Sequence, residues 1–528
     1  MMMTDGSAVA VGSSVSVTEE AIVIRIVRPA EAGRARSDRA ARLAFAARGD
    51  AYAGLIMWHR FEAVYAVLAD RVAAVDPAEQ DVYTRVYDPL CQVAASYAVA
   101  AGVRQHSAEL FVEDSVACFE RIPAVGRLMR DGVIAPSWFR RAVEQTSLVE
   151  DADLLEFIDD EIAHRLTVIG GLTAKRVEHA VAEIVAEHDP DAAVLTREQV
   201  KAHKQVVVNP LTDGMSELIV TASAEDAAVC KDAVDAVIAG VCRHDRRTKG
   251  QLRSDAAVAR LTGAAFECAC GRHDCDAELS EAAVAARCAR IVLHVVVRKE
   301  TLDGTAQTPA LLDGYGPISA AHARELASRA ESVRRELNLD DLVAHPAQEG
   351  NAYRPSTALD TAVRGLFGTC SWIGCDRPAW KCDLDHVTEF NHADPAAGGP
   401  TCHCNLNPKC KFHHGLKTHA GGWLDDQVVD ANGVIWTEVT TPEGLTVRRQ
   451  AANQWLLPEL GSIPCRHGGS AQSGSTRPEN GHAELDPKRA RTRLEAKHAY
   501  RRRQRAANRR AHEAARAEFE AADDLPPF

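Results

Sequence analysis

Residues 370–423 read CSWIGCDRPAWKCDLDHVTEFNHADPAAGGPTCHCNLNPKCKFHHGLKTHAGGW. Cys370 and Cys375 form a C-x4-C pair, and Cys410 and His413 form a C-x2-H pair. Two short pairs of soft donors on either side of a loop are how a chain encloses a tetrahedral ion such as zinc. Asp385-His386, Asn405 and His414 lie among these ligands, and a zinc cage does not need them. KCDLDHV reads as a short strand and KCKFHHGLKTH as a helix. Phosphodiester hydrolysis asks for a base that activates water and for a cation that neutralises charge on the phosphate and the leaving oxygen. Histidine titrates near neutral pH without much tuning, which makes His386 the candidate base. Asp385 and His414 are candidate ligands of a divalent ion. Lys417 shares the helical face of His414 and is placed to reach a phosphate. Adjacent strand residues point to opposite faces, so Asp385 and His386 share one site only if the strand ends or bends there.

Outward from this stretch, the chain of 528 residues is too long for one ordinary domain. Its hydrophobic fraction of 46% is ample for a sizeable core, and its formal charge of −13 excludes a uniformly basic nucleic-acid coat. Any polyanion contact therefore has to come from a local patch. The 15 cysteines cluster near histidines, which points to metal binding in a reducing, cytoplasmic setting rather than to a disulfide scaffold. No apolar run is long enough to span a bilayer, so no membrane partner is expected.

Residues 1–45 read as a disordered N-terminus, with AIVIRIVRP (21–29) a short strand or a tether. From residue 46 to 340 the period is mainly helical, broken by Pro123, Gly132, Pro136 and Gly170-Gly171. Two β-rich runs flank Asp213-Gly214 in 204–223, a hairpin signal, and RIVLHVVVRKETL (290–302) reads as a strand. Cys268, Cys270, His273 and Cys275 form a second cluster, which reads either as a second zinc site, with Cys288 an alternative ligand to His273, or as a cysteine-rich turn. Asp245-Arg246-Arg247 and Arg253 read as a solvated face. Residues 341–455 hold the cysteine–histidine stretch and, after Trp423, an alternating meander with Asn432-Gly433 and Glu443-Gly444 turns. Residues 456–528 are a linker and a basic tail; 488–516 carries twelve Lys/Arg against two Glu, and Arg501, Arg502 and Arg503 are its candidate phosphate contacts.

The order Asp385-His386, Asn405, His414, framed by the cysteine pairs and followed by Lys417 and Trp423, resembles the zinc-stabilised HNH endonucleases of the ββα-metal fold. The resemblance implies that His386 is the general base, that Asp385 and His414 bind the catalytic divalent ion (Mg, Mn, Ni or Zn), and that Asn405 steadies the loop and the base. It further implies that Cys370, Cys375, Cys410 and His413 bind a structural zinc and that the substrate is DNA. Upstream, DGMSELIVTASAEDAA and LLDGYGPISAAHAREL resemble the long N-terminal domain of unknown function that precedes HNH modules in a large bacterial family. The expected fold class is α+β: a mainly helical N-terminal region with a small β-containing segment, followed by a ββα-metal domain. The rival reading is a catalytically inactive, zinc-stabilised module that binds DNA or a protein. Cys382, Cys402, His403 and Cys404 read as packing residues, and His392 and Glu389 as loop residues.

Overall fold

The computed structural model describes residues 14–18, 20–25, 36–75, 88–202, 204–211, 214–288, 292–329, 332–339, 342, 353–420 and 422–463, with isolated positions between 499 and 517. Residues 1–475 form one compact unit and 476–528 another. The fold is α+β, with a mainly helical N-terminal region. Arg502 and Arg503 are helical and exposed, and Arg501 lies outside the described residues.

A short hairpin pairs β1 (Ser14–Val17) with β2 (Ile22–Arg25), and α1 runs over Arg36–Ala73. Parts of the segment expected to be disordered are therefore ordered: alternation in IVIR suits a strand, and α1 gains stability from packing further along its length. The helical body continues through α2 (Pro89–Ala101), α3 (Gln105–Val116), α4 (Pro123–Arg130), α5 (Pro136–Thr146), α6 (Ala152–Val168) and α7 (Ala174–His188). Its core gathers Phe61, Ile122, Met129, Phe139, Ile158, Ile162, Leu166, Val181 and Ile184. Asp159 of α6 accepts the Ala124 and Val125 amides at 2.6 and 3.0 Å, capping α4 from a neighbouring helix.

After α8 (Pro190–Ala202), the expected hairpin forms from β3 (Gln205–Pro210) and β4 (Ser216–Thr221). Then come α9 (Ala224–Ala239), α10 (Lys249–Thr262) and α11 (Glu281–Arg287). Of the strand expected over 290–302, residues 290 and 291 lie outside the described ones; among the rest the strand is cut down to β5 (Val295–Val296), and α12 (Lys299–Leu302) soon follows. β6 (Ala310–Leu312) and β7 (Gly316–Ile318) complete this sheet, and α13 (Ala320–Ala327) starts at the Ser319 N-cap.

In the last part, α14 (Thr357–Phe367) packs Leu359, Val363, Leu366 and Phe367 against Leu406, Ile435, Leu456 and Leu460. β8 (Asp383–His386) pairs antiparallel with β9 (Leu406–Lys409), and α15 (Lys411–His419) follows. The meander is β10 (Leu424–Val429), β11 (Ile435–Thr440) and β12 (Thr446–Gln450).

The two regions expected as separate domains are stitched together. Gly170, at φ 60°, bridges to Arg449, and a Cβ there would lie 2.3 Å from the Arg448 carbonyl oxygen. The Gly170-Gly171 break is thus a docking point where backbone meets backbone. Nearby, Arg176 donates to the Gln450 carbonyl (3.2 Å) and Lys175 to the Gly314 carbonyl (2.8 Å). His179 lies against Gly316, whose φ of 103° and lack of a Cβ make room for the ring.

Burial, with Lys175 and Arg176 adding to it and the Tyr315 backbone opposing it, lowers the His179 pKa to about 4. The unfolded chain takes up a proton near pH 6.5, before the folded chain does. Stability from this site is therefore complete above pH 6.5 and is lost as the pH falls toward 4, by roughly 3 kcal/mol at most. His179→Gln should flatten that part of the profile in urea melts between pH 7 and 5. Equal slopes for wild type and variant would refute this assignment.

Candidate functional site

The β8–β9 ribbon sorts the site by face. Asp383 pairs with Lys409 and Asp385 with Asn407 on one side, while Leu384 pairs with Pro408 and His386 with Leu406 on the other. The second face is apolar, and Leu384 and Leu406 join the core beneath α14. Asp385 and His386 therefore leave the strand on opposite faces. His386 is the last residue of β8, where the ribbon gives way to the loop over 387–405.

α15 crosses the first face. His413 and His414 are consecutive, so they diverge by about 100° around the helix. The His413 Nδ1 lies 3.3 Å from the Cys410 sulfur and 3.5 Å from the Cys370 sulfur, and its ring stacks on Trp372 at 5.2 Å. The His414 Nε2 lies 3.3 Å from Asp385 Oδ1. One turn of helix thus turns one histidine to the sulfurs and the next to Asp385.

The ligand atoms of Cys370, Cys375, Cys410 and His413 all lie within 4.8 Å of one another, a group that could hold a metal ion and is compatible with zinc. The Cys410 amide lies 3.4 Å from the Cys370 sulfur, an N–H turned toward a thiolate. Arg449 is 1% exposed and donates to the Trp372 carbonyl (3.2 Å) and Thr369 Oγ1 (3.1 Å). Asp376 and the sulfurs of Cys370 and Cys375 lie beside it. A buried guanidinium here suits the net negative charge of three thiolates around a divalent ion. Cys382 lies in the same cluster of buried side chains, with its sulfur turned to the Pro378 carbonyl at 3.3 Å.

Asp385 is fixed from several sides. Its Oδ2 lies 3.0 Å from the Lys409 ammonium and 2.8 Å from that of Lys417. Both ammoniums also reach Asp425 of β10, at 2.7 and 3.3 Å. Two carboxylates and two ammoniums leave this box neutral. Burial pushes the Asp385 carboxyl up, but Lys409, Lys417 and His414 outweigh it and hold the pKa at about 2. Oδ1 stays turned to His414. A hard divalent ion with bonds of about 2.1 Å at right angles has neighbouring ligand atoms about 3 Å apart. The Asp385–His414 pair fits that spacing.

Lys417, expected to reach a phosphate, faces inward here: it also donates to the His386 and Val387 carbonyls at 2.6 and 3.0 Å. Lys409 and Asp425 were not found from sequence. The only signal was an Asp-rich strand after Trp423 and a lysine directly before Cys410.

Asn405 holds the loop between β8 and β9. Its Oδ1 accepts the Thr388 amide (2.8 Å), and its Nδ2 donates to the Thr388 and Pro400 carbonyls (3.0 and 2.9 Å). Gly399 lies against the same clasp: a Cβ there would sit 1.9 Å from the Thr388 carbonyl oxygen and 2.6 Å from Asn405 Nδ2. Gly399→Ala should loosen this loop and cost about 1–3 kcal/mol, the usual range for overpacking. Faster proteolytic cleavage within 387–405 and a lower midpoint in urea would show it; an unchanged midpoint would not fit.

His386 is 7% exposed. Its Nε2 lies 2.9 Å from Thr401 Oγ1, which in turn donates to the Tyr353 carbonyl at 3.4 Å. That relay makes Nε2 the donor and leaves Nδ1 as the basic nitrogen. Tyr353 stacks on the ring at 5.4 Å, and Phe390 lies 5.5 Å away. Burial lowers the His386 pKa to about 4, keeping the imidazole neutral at pH 7. His392 is exposed and lies 4.7 Å from the Tyr353 ring.

Residues 57–365 match DUF222, a domain of unknown function. The chain belongs to the DUF222 family. Its match to that domain ends before Cys370, so the cysteine–histidine site lies outside it. Among curated relatives, the uncharacterized protein Rv3776 of Mycobacterium tuberculosis is 31% identical over 363 residues, covering 64% of this chain and 66% of the relative. The uncharacterized protein Rv2100 of the same organism is 30% identical over 377 residues, covering 64% and 65%. The chain thus spans just under two thirds of the length of these curated relatives. No solved structure matches it. Among the described residues, no helix is long and apolar enough to cross a membrane.

Proposed function

We propose that this DUF222 protein is a metal-dependent endonuclease of the HNH type, hydrolysing DNA phosphodiester bonds. The observation that carries the reading is the approach of Asp385 Oδ1 to His414 Nε2, 3.3 Å, beside a separate Cys3His group. Asp385 and His414 would hold a divalent ion, which when bound supplies charge stabilisation at the phosphate and the leaving oxygen. Lys409 and Lys417 keep Asp385 ionised and fix its rotamer, so the ligand is preorganised. Neutral His386, oriented through Nε2 by Thr401, would take a proton from water at Nδ1. Asn405 holds the loop that carries Thr401 in register with the strand. Cys370, Cys375, Cys410 and His413 would bind a structural zinc that sets α15 against β8 and β9. Exposed Arg502 and Arg503 would add a salt-dependent contact to DNA.

A second reading, an inactive zinc-stabilised module that binds DNA or protein, is favoured by two observations: Asp385 and His386 leave β8 on opposite faces, and Tyr353 covers the His386 ring. Plasmid nicking by purified protein, with added divalent metal and with chelator, separates the two. Metal-dependent nicking abolished by chelator and by His386→Ala supports the nuclease. Intact plasmid with the metal-loaded protein, or equal nicking by wild type and variant, rules it out.

A further inference from the structure

Between α9 and α11 the chain lacks the means to hold its own shape. The buried core there is Ala236, Val237, Ala256 and Val284, with Val234, Ile238 and Phe266 partly buried against it. Residues 264–280 are irregular, with neither helix nor strand. Fixing each backbone residue of 264–280 costs about 1–2 kcal/mol of entropy, more than this small core offsets at about 1.5–3 kcal/mol per large apolar side chain. Some other staple is required, as in small scaffolds generally.

Four sulfurs meet at this point. Cys242 follows the C-terminus of α9, and Cys268, Cys270 and Cys275 come from the 264–280 loop. All four Sγ atoms lie within 4.8 Å of one another, and those of Cys242 and Cys268 are 3.4 Å apart. A tetrahedral zinc with Zn–S bonds of about 2.3 Å sets its sulfurs about 3.8 Å apart. None of the four is in a disulfide. His273 and Cys288, the fourth ligands considered from sequence, are not in the group; Cys242, distant in sequence, takes that place.

The surroundings are arranged as for thiolates. The Arg272 amide lies 3.4 Å from the Cys270 sulfur. Asp245, whose side chain is 2% exposed, accepts the Ala269 amide at 2.8 Å, pinning the residue between Cys268 and Cys270. Arg247 chelates Asp245 and donates to the Glu267 carbonyl at 2.8 Å. Asp245 and Arg247 are thus outer supports of the knuckle, not the solvated face their sequence suggested. At the far end, the Glu278 amide donates to the Gly240 carbonyl at 2.9 Å, closing the loop on α9.

We propose that Cys242, Cys268, Cys270 and Cys275 form a second zinc site, separate from the Cys370 group, whose ion folds the 240–280 segment onto α9 and α10. Four thiolates select a soft tetrahedral ion, and zinc is the choice the geometry favours. The site lies inside the DUF222 match and does not depend on nuclease activity.

The test is zinc content of the full-length protein by mass spectrometry, with free thiols counted in parallel. Wild type should carry two zinc per chain, Cys242→Ser and Cys268→Ser one, and Cys288→Ser two. Cys370→Ser should keep the ion at this second site. If the serine variants do not fold, stepwise zinc release from wild type by a mercurial thiol reagent should still yield two equivalents. Zinc content unchanged in Cys268→Ser, iron in place of zinc, or a disulfide among these four cysteines in freshly purified protein would each overturn the proposal.

Discussion

His386→Ala is expected to lower metal-dependent DNA nicking by about 10²–10⁴-fold, the usual contribution of a positioned general base. The fall should appear in single-turnover cleavage at saturating protein, because the imidazole acts on water rather than on DNA binding. Gel-shift affinity for the same DNA should change little. His386→Ala also removes the ring on which Tyr353 stacks, so a fold control is needed. Thr401→Val serves: it keeps the ring and removes its orienting hydroxyl, and it should show a smaller loss with a native melting curve. Loss of DNA binding in step with cleavage would count against a base and favour a structural role.

Cys370→Ser should have the largest effect on stability. Structural zinc in small domains contributes about 10–16 kcal/mol of apparent binding energy, against about 5–15 kcal/mol for the net stability of a typical protein. Cys370 is fully buried within the cluster that includes Trp372, Cys382 and Val439. Its removal should release one zinc per chain and open the region over 353–463 to hydrogen exchange. α14, β8, β9 and α15 share contacts there and should lose protection together. Native protection in a variant that has lost its zinc would show that packing alone holds this region.

Much of the fold was legible in local pattern. The helical period that sets in at residue 46, the runs flanking Asp213-Gly214, and the alternation after Trp423 each mark elements that form. The failures share a cause. RIVLHVVVRKETL has strand composition, but among its described residues only Val295 and Val296 pair in a strand, because pairing is a property of neighbours and not of the run. Gly170-Gly171 reads as a break in a helix and turns out to be where the helical body meets β12.

By itself the sequence determined the residue types of the site, the spacing of its paired ligands and the α+β class, since these follow from short-range chemistry and periodicity. Only the tertiary structure decided which groups meet. It buried Lys409 and Lys417 against Asp385 and Asp425, and brought Cys242 to Cys268, Cys270 and Cys275. Such meetings depend on strand register, helix rotation and loop closure across long separations, which no local window of sequence contains.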